Sequence, residues 1–438
     1  MAGEQGRSPQ PKQSKRRPRL IWLLGIPLAL GGAALAFHLW NRPPGPRGAT
    51  VVSLQSLADS GAFLLRIWPA DQRRTVTFLA IGRQGSQLAG TAGPSGVVAK
   101  PVALPAHLSP WDAMESWHGG AVAYVDGDAG AAYLCSPWWA SPRKLSDLVV
   151  PRGIYPPMWS RNGERLAVAI GDANRRPKGV RIFSADGDLI AETIVPTADG
   201  YWSRMLWSAS GRRLLLWRSK GGWAKHGQSR RRRADAMLLS EPDWRPVPVY
   251  FPRQGLHPLG WADDEVLVAE TSAPLYTQPP RITLFRALTG VEVRSLDCSQ
   301  VKVGGPRVIV GAAEVRVAPS RGGVIVPIAG VSRAGVAMAR GTEYLPSRLQ
   351  PRLERSLARA TMRVWQRWPP PRVAYVYLPI SRGAPETIAL DDASGLLSFA
   401  ISTEGTELLY VSDWELKAAP LPPEARAEAK KRDAAKVP

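Results

Sequence analysis

The sequence predicts an all-β fold, a β-propeller of about seven blades with six to eight compatible, preceded by one N-terminal transmembrane helix. Three observations carry this. A hairpin motif built on Trp, Ser and Gly recurs along the chain. Its copies stand roughly 40 to 57 residues apart, the length of a four-stranded blade with its loops. Gly and Pro, at 41 each in 438 residues, suit many tight turns between short strands.

Composition sets the outer limits. An apolar share of 45% and a charged share of 21% are globular values, which argues against bulk disorder. Lys and Arg number 57 against 36 Asp and Glu, a formal net charge of +21 that favours anionic partners. A GC-rich coding bias would raise Arg in the same way, so charge alone does not choose a partner. Cys135 and Cys298 lack any CxxC or Cys/His companion. They either pair outside the cytoplasm or are two separate buried thiols.

The N-terminus sets the compartment. Residues 1–19 are polar and end in the basic run Lys15, Arg16, Arg17, Arg19. Residues 20–40 then carry no acid or strong base, and a helix of about 21 residues spans a hydrocarbon core of roughly 30 Å. Trp22 and Trp40 stand near its ends, where aromatic anchors belong. The positive-inside rule keeps residues 1–19 in the cytoplasm and places the rest outside, at the cell membrane, periplasmic or cell-surface. A cleavable signal peptide is the competing reading, since Ala34-Leu35-Ala36 resembles a cleavage site. The apolar run continues past it through Phe37, Leu39 and Trp40, which favours the anchor. Residues 41–58 read as a linker.

The propeller is expected over 59–418. Met158-Trp159-Ser160-Arg161-Asn162-Gly163-Glu164-Arg165-Leu166 is echoed by Leu206-Trp207-Ser208-Ala209-Ser210-Gly211-Arg212-Arg213-Leu214. Weaker copies begin at Trp261-Ala262, Ala318-Pro319 and Ile401-Ser402, and Trp68 and Trp117 precede further apolar runs. In each copy a strand ends in an aromatic or apolar residue, a polar turn reverses the chain, and an apolar strand returns. Gly supplies the positive φ of the turn.

These residues resemble the Trp-Ser-x-x-Gly-x-x-Leu hairpin of TolB-type, WD-like propeller repeats. The likeness covers two repeats well and others weakly. The usual Pro-Asp pair is absent from both good copies, and Glu265 stands where Gly is expected. Trp159, Trp207 and Trp261 then belong to the core between blades. Trp138, Trp139 and Trp202 fall off that position and are candidates for a binding face.

Two segments interrupt the repeat. Residues 218–234 form a long loop closed by Arg230, Arg231, Arg232 and Arg233. Residues 349–368 read as an amphipathic helix, with Leu349, Leu353 and Leu357 on one face and Arg352, Arg355, Arg359 and Arg363 beside them. Its arginines either grip anionic lipid or an acidic partner, or are simply solvated on a helix packed against the propeller. Residues 419–438 read as a disordered tail.

No catalytic motif emerges. The five His show no HExxH spacing, and no GxSxG elbow, P-loop or dinucleotide fingerprint is present. Asp126-Gly127-Asp128 and Asp391-Asp392 lack the further acids of a calcium loop. No metal or cofactor is therefore expected. The expected function is a non-catalytic binding or scaffold module for an envelope protein or glycan ligand. The rival is a propeller hydrolase or lyase acting on acidic polysaccharide, whose carboxylates would converge from several blades. Nucleic acid is not expected as a partner, given the compartment. The central funnel discriminates the two: carboxylates there favour the enzyme, Arg and apolar side chains the binder.

Overall fold

The computed structural model describes residues 45–426, apart from 71, 83–86, 103–116, 119, 127–128, 137–140, 148–156, 172–176, 196–203, 218–233, 254, 272–280, 304–306, 311–314, 321, 332–371, 382 and 393–398. The strands form seven antiparallel sheets, six of four strands and one of five, so the chain is a seven-bladed β-propeller. Blade 1 runs over residues 63–102, blade 2 over 117–147, blade 3 over 158–194, blade 4 over 204–249, and blade 5 over 256–297. In each of these the strands follow in chain order across the sheet.

Blade 6 departs from the pattern. Its first strand is broken into Arg307–Val310 and Arg316–Val317, both paired with Gly323–Val331. Blade 7 is built from both ends of the domain. Phe399–Ile401, Glu407–Ser412 and Glu415–Pro420 supply three strands, and Ala49–Ser53 pairs antiparallel with Glu415–Pro420 as the fourth. The segment expected as linker thus contributes a strand at 49–53 and a short helix, Gln55–Asp59. Its sequence lacks the hairpin signal because its partner strand lies more than 360 residues away. Beyond the expected domain end, Leu421 and Ala425 are also buried.

Burial on both faces of each sheet explains the apolar runs. In the strand Arg165–Gly171, Leu166 and Val168 pack toward blade 2, while Ala167 and Ala169 pack toward blade 4. A side-chain period of two sends alternate residues to opposite blades, so both sets must be apolar. Separate clusters fill the spaces between neighbouring blades, among them Leu284 with Val326 and Tyr375 with Phe399.

The hairpin motif closes as the sequence predicts. The Ser160 N–H donates to Arg165 O at 2.7 Å, and the Ser208 N–H donates to Arg213 O at 2.8 Å. Gly163 and Gly211 both take φ of +72°. Where Glu265 replaces the glycine, the Asp263 carboxylate accepts the N–H groups of Glu265 and Val266, each at 2.6 Å. A side-chain acceptor there does the work of a left-handed residue. Trp159, Trp207 and Trp261 are buried. The Trp207 indole donates to Met158 O at 2.8 Å, and the Trp261 indole to Leu206 O at 3.0 Å. Each ties its own blade to the first strand of the preceding one.

Cys135, on blade 2, and Cys298, in the turn directly after blade 5, are free and buried. Burial pushes the Cys298 thiol up to about 12. Among the described residues no helix is long and apolar enough to cross a membrane. The span expected at 20–40 and the basic tail at 1–19 lie outside the described residues, as do the helix at 349–368 and residues 427–438 of the expected tail.

Candidate functional site: the central channel

First strands of neighbouring blades meet around an axis, for blades 2 with 3, 3 with 4, 4 with 5, 5 with 6, and 7 with 1. They line a partly open cavity of about 140 Å³. Its walls are assembled by register. Trp68, Met158, Leu206, Gly260 and Arg316 each stand two residues before the one whose N–H closes its hairpin, namely Ala70, Ser160, Ser208, Ala262 and Ala318. Equivalent positions on five blades therefore form one level of the channel. Arg66 and Arg204 stand four residues before the same closing positions, one level further along the strands. Arg161 lies at the hairpin end.

The lining is cationic and apolar. Arg66, Arg161, Arg204, Arg316 and His118 share the wall with Trp68, Met158, Leu206, Leu259 and Val315. Among the described lining residues none is Asp or Glu. Two of the arginines rest on aromatic faces. The Arg66 guanidinium lies 5.5 Å from the Trp68 ring centre, and that of Arg316 lies 5.8 Å from the Phe399 ring centre. Such stacking holds a guanidinium plane in place.

His118 reports the local field. Burial first, and then the Arg66 and Arg316 charges, lower its pKa from 6.5 to about 4. It is therefore neutral at pH 7. Its ring lies beside Trp159, with centroids 6.1 Å apart, and against Gly163 of the next blade. The channel thus carries one neutral imidazole and several fixed cations.

Outside the channel, the hairpin turns of blades 3, 4 and 5 are chained. The Asn162 side-chain amide donates to Ser210 O at 3.2 Å, and the Ser210 hydroxyl donates to the Asp264 carboxylate at 2.7 Å. Burial raises the Asp264 pKa, but the Ser210 N–H and hydroxyl, the Ser208 hydroxyl and the Arg213 charge together outweigh it, and the net shift is downward. A second polar cluster joins the last strand of blade 6, Glu386–Asp392, to blade 7. Lys417 Nζ sits 2.8 Å from Asp391 Oδ2, and the Tyr410 hydroxyl donates to the same oxygen at 3.3 Å. Asp391 is thus a partner of Lys417 and Tyr410, and Asp126 accepts the Ala129 N–H in a hairpin turn.

All eleven residues singled out from the sequence, Trp138, Trp139, Trp202, Arg230 to Arg233, Arg352, Arg355, Arg359 and Arg363, lie outside the described residues. Chain order still gives their anchorage. Residues 218–233 join the second and third strands of blade 4, and 332–371 join the second and third long strands of blade 6. In both blades the described strands flanking these residues end where the first strand of the blade begins. Arg66 and Arg204 lie toward that end. Sequence reasoning missed the channel cations, although aligning the hairpins and counting back four residues would have found Arg66 and Arg204.

No family model matches the chain, and no curated protein matches it. Solved structures of similar shape include the β-propeller domain of the trilobed protease from Pyrococcus furiosus, at 10% identity over 81% of this chain and 93% of that one, with a TM-score of 0.42. TolB from Acinetobacter baumannii is similar at 10% identity over 87% and 86%, TM-score 0.34. The Swd1 β-propeller domain from Myceliophteria thermophila is similar at 11% identity over 60% and 79%, TM-score 0.34. TolB-type and WD-type propeller domains are thus both among its structural neighbours.

Proposed function

We propose that the chain is a membrane-anchored, extracytoplasmic propeller that binds an envelope protein or glycan ligand without transforming it, and that the central channel is where the ligand engages. The observation that carries this reading is the channel wall, which joins Arg66, Arg161, Arg204 and Arg316 to apolar side chains with no carboxylate among its described residues. A cationic wall of low polarity attracts and retains an anionic group. Glycoside hydrolysis draws on a pair of carboxylates flanking the bond to be cleaved. The one side chain of the described wall able to exchange a proton near neutrality, His118, is held to about 4 and is a poor general acid or base at pH 7. The anchor at residues 20–40 and its positive-inside flank support the compartment.

The test is capture of partners from envelope extract by the full-length chain, beside a variant carrying Arg204→Gln and Arg161→Gln. A partner retained by the wild type and lost by the variant supports the reading. Equal capture by both removes the channel from it, and turnover of an acidic polysaccharide by the wild type would move the hydrolase or lyase ahead. Protease added outside intact cells should cleave the propeller if it is extracytoplasmic, and protection would refute that placement.

A further inference from the structure

We propose that the outer edge of blade 3, the strand Leu189–Ile194, is a docking site that takes up one extended segment of an acidic partner protein as a fifth strand. This edge is the opposite side of the blade from the channel, and the proposal does not rest on the channel.

The fold itself shows the mode of docking. In blade 6 the fourth strand shifts register at Ile388, and two residues on, Leu390 turns its N–H outward and donates it to Pro46 O at 2.7 Å. A segment from the far end of the chain thus lies on that edge. Blade 3 repeats the geometry: its fourth strand shifts register at Ile190, and two residues on stands Glu192. The Val195 N–H donates inward to Lys178 O at 3.0 Å. The alternation of an antiparallel ladder then turns the N–H and C=O of Glu192 and Ile194 outward. Among the described residues nothing pairs with these four groups.

The other edges are guarded and this one is not. Lys100 and Pro101 stand on the fourth strand of blade 1, Arg143 and Lys144 on that of blade 2, Pro248 on blade 4 and Arg294 on blade 5. Cations and Pro on an edge oppose pairing with another chain. The blade 6 edge is covered by Pro46, and Val51 and Val52 of the blade 7 edge pack against a core cluster. Leu189–Ile194 carries no Lys, Arg or Pro, and its one charge, Glu192, is matched by Arg181 at 2.8 Å. Leu189, Ile190 and Ile194 are 55%, 45% and 49% exposed. Aliphatic side chains of an incoming strand cover them.

Charge chooses the partner. Lys178, opposite Val195 at the end of the strand, is exposed and has no carboxylate partner among the described residues. The net charge of +21 adds a long-range attraction for an acidic protein and opposes a second copy of this chain. The occupant that fits alternates aliphatic with polar residues and ends in an acid.

The test is fluorescence titration of the full-length chain with dye-labelled Val-Thr-Val-Thr-Val-Asp-amide. Two further forms are N-methylated, one at the second and third valines and one at the threonines. A strand presents alternate amides to one side, so one methylated form should bind roughly tenfold or more weakly and the other within about threefold. Asn in place of the peptide's Asp should weaken binding about threefold or more. Ile194→Lys and Glu192→Pro should each weaken the parent peptide roughly tenfold, the proline removing an outward N–H and no ladder bond. Val98→Lys, at a comparably exposed site on the blade 1 edge, should leave it unchanged. Hydrogen exchange over residues 189–195 should slow at saturation, a readout that needs no substitution. Failure of the peptide to bind, equal binding of the two methylated forms, equal binding of the Asp and Asn peptides, indifference to Ile194→Lys, or unaltered exchange would each overturn the proposal. So would a concentration-dependent dimer abolished by Ile194→Lys, which would seat a second copy on the edge.

Discussion

His118 gives the fold a pH dependence that can be worked from its surroundings. Burial, followed by the charges of Arg66 and Arg316, holds the folded imidazole at about 4, against 6.5 for an exposed one. As pH falls below 6.5, the unfolded chain takes up a proton that folded His118 declines. The unfolded state then binds more protons, so stability falls with pH across the window from 6.5 to 4. At about 1.4 kcal/mol per pH unit, the whole window is worth about 3 kcal/mol. The carboxylates with lowered pKa, Glu407 beside Arg74 and Asp391 beside Lys417, lose their contributions at lower pH, as they protonate below the ordinary carboxylate range. Asp413, whose pKa burial raises, acts in the opposite sense, so it is the comparison with a His118 variant that isolates the histidine. Urea unfolding of wild type and His118→Gln at half-unit steps from pH 7 to pH 4.5 measures it. The wild type should lose about 2 to 3 kcal/mol more than the variant over that range. Parallel curves would refute the reasoning, because they would mean that His118 titrates alike in both states.

Three further outcomes follow from particular contacts. Trp207→Phe removes the indole donor to Met158 O and leaves that carbonyl short of a partner between blades 3 and 4, costing about 1 to 2 kcal/mol in denaturant unfolding. Lys417→Met, on blade 7, strands the buried Asp391 carboxylate of blade 6 and should cost about 3 to 5 kcal/mol, while Lys417→Met combined with Asp391→Leu should recover much of it. Gly163→Ala puts a Cβ at φ of +72° and against the His118 ring. It should cost at least about 1 to 2 kcal/mol, and it should move the His118 pKa, whereas Gly211→Ala at the same φ should leave that pKa in place.

Much of the fold was legible because a propeller writes one local hairpin many times. Trp159-Ser160 and Trp207-Ser208 announce a strand end, Gly163 and Gly211 a left-handed turn, and the apolar runs after them a strand buried on both faces. Each is a short-range rule, so the chain order alone carries it. The spacing gave about seven blades with six to eight open, and the seven sheets of the structure fixed the number. What failed to show was whatever depends on residues far apart. Ala49–Ser53 reads as linker because its hydrogen-bonding partner, Glu415–Pro420, closes the ring from the other end. The Asp391-Lys417 pair is invisible for the same reason.

The candidate site divides in the same way. By itself the sequence determined the repeating blade, the buried tryptophans and an excess of positive charge, since periodicity and composition are properties of the chain. It drew attention to runs of arginine, such as Arg230 to Arg233, because a linear reading sees only neighbours. Tertiary structure decided that Arg66, Arg161, Arg204 and Arg316, single residues on four different blades, share one wall with His118. Closing seven sheets around an axis turns equal register on distant strands into proximity, and only that closure brings those charges into one wall.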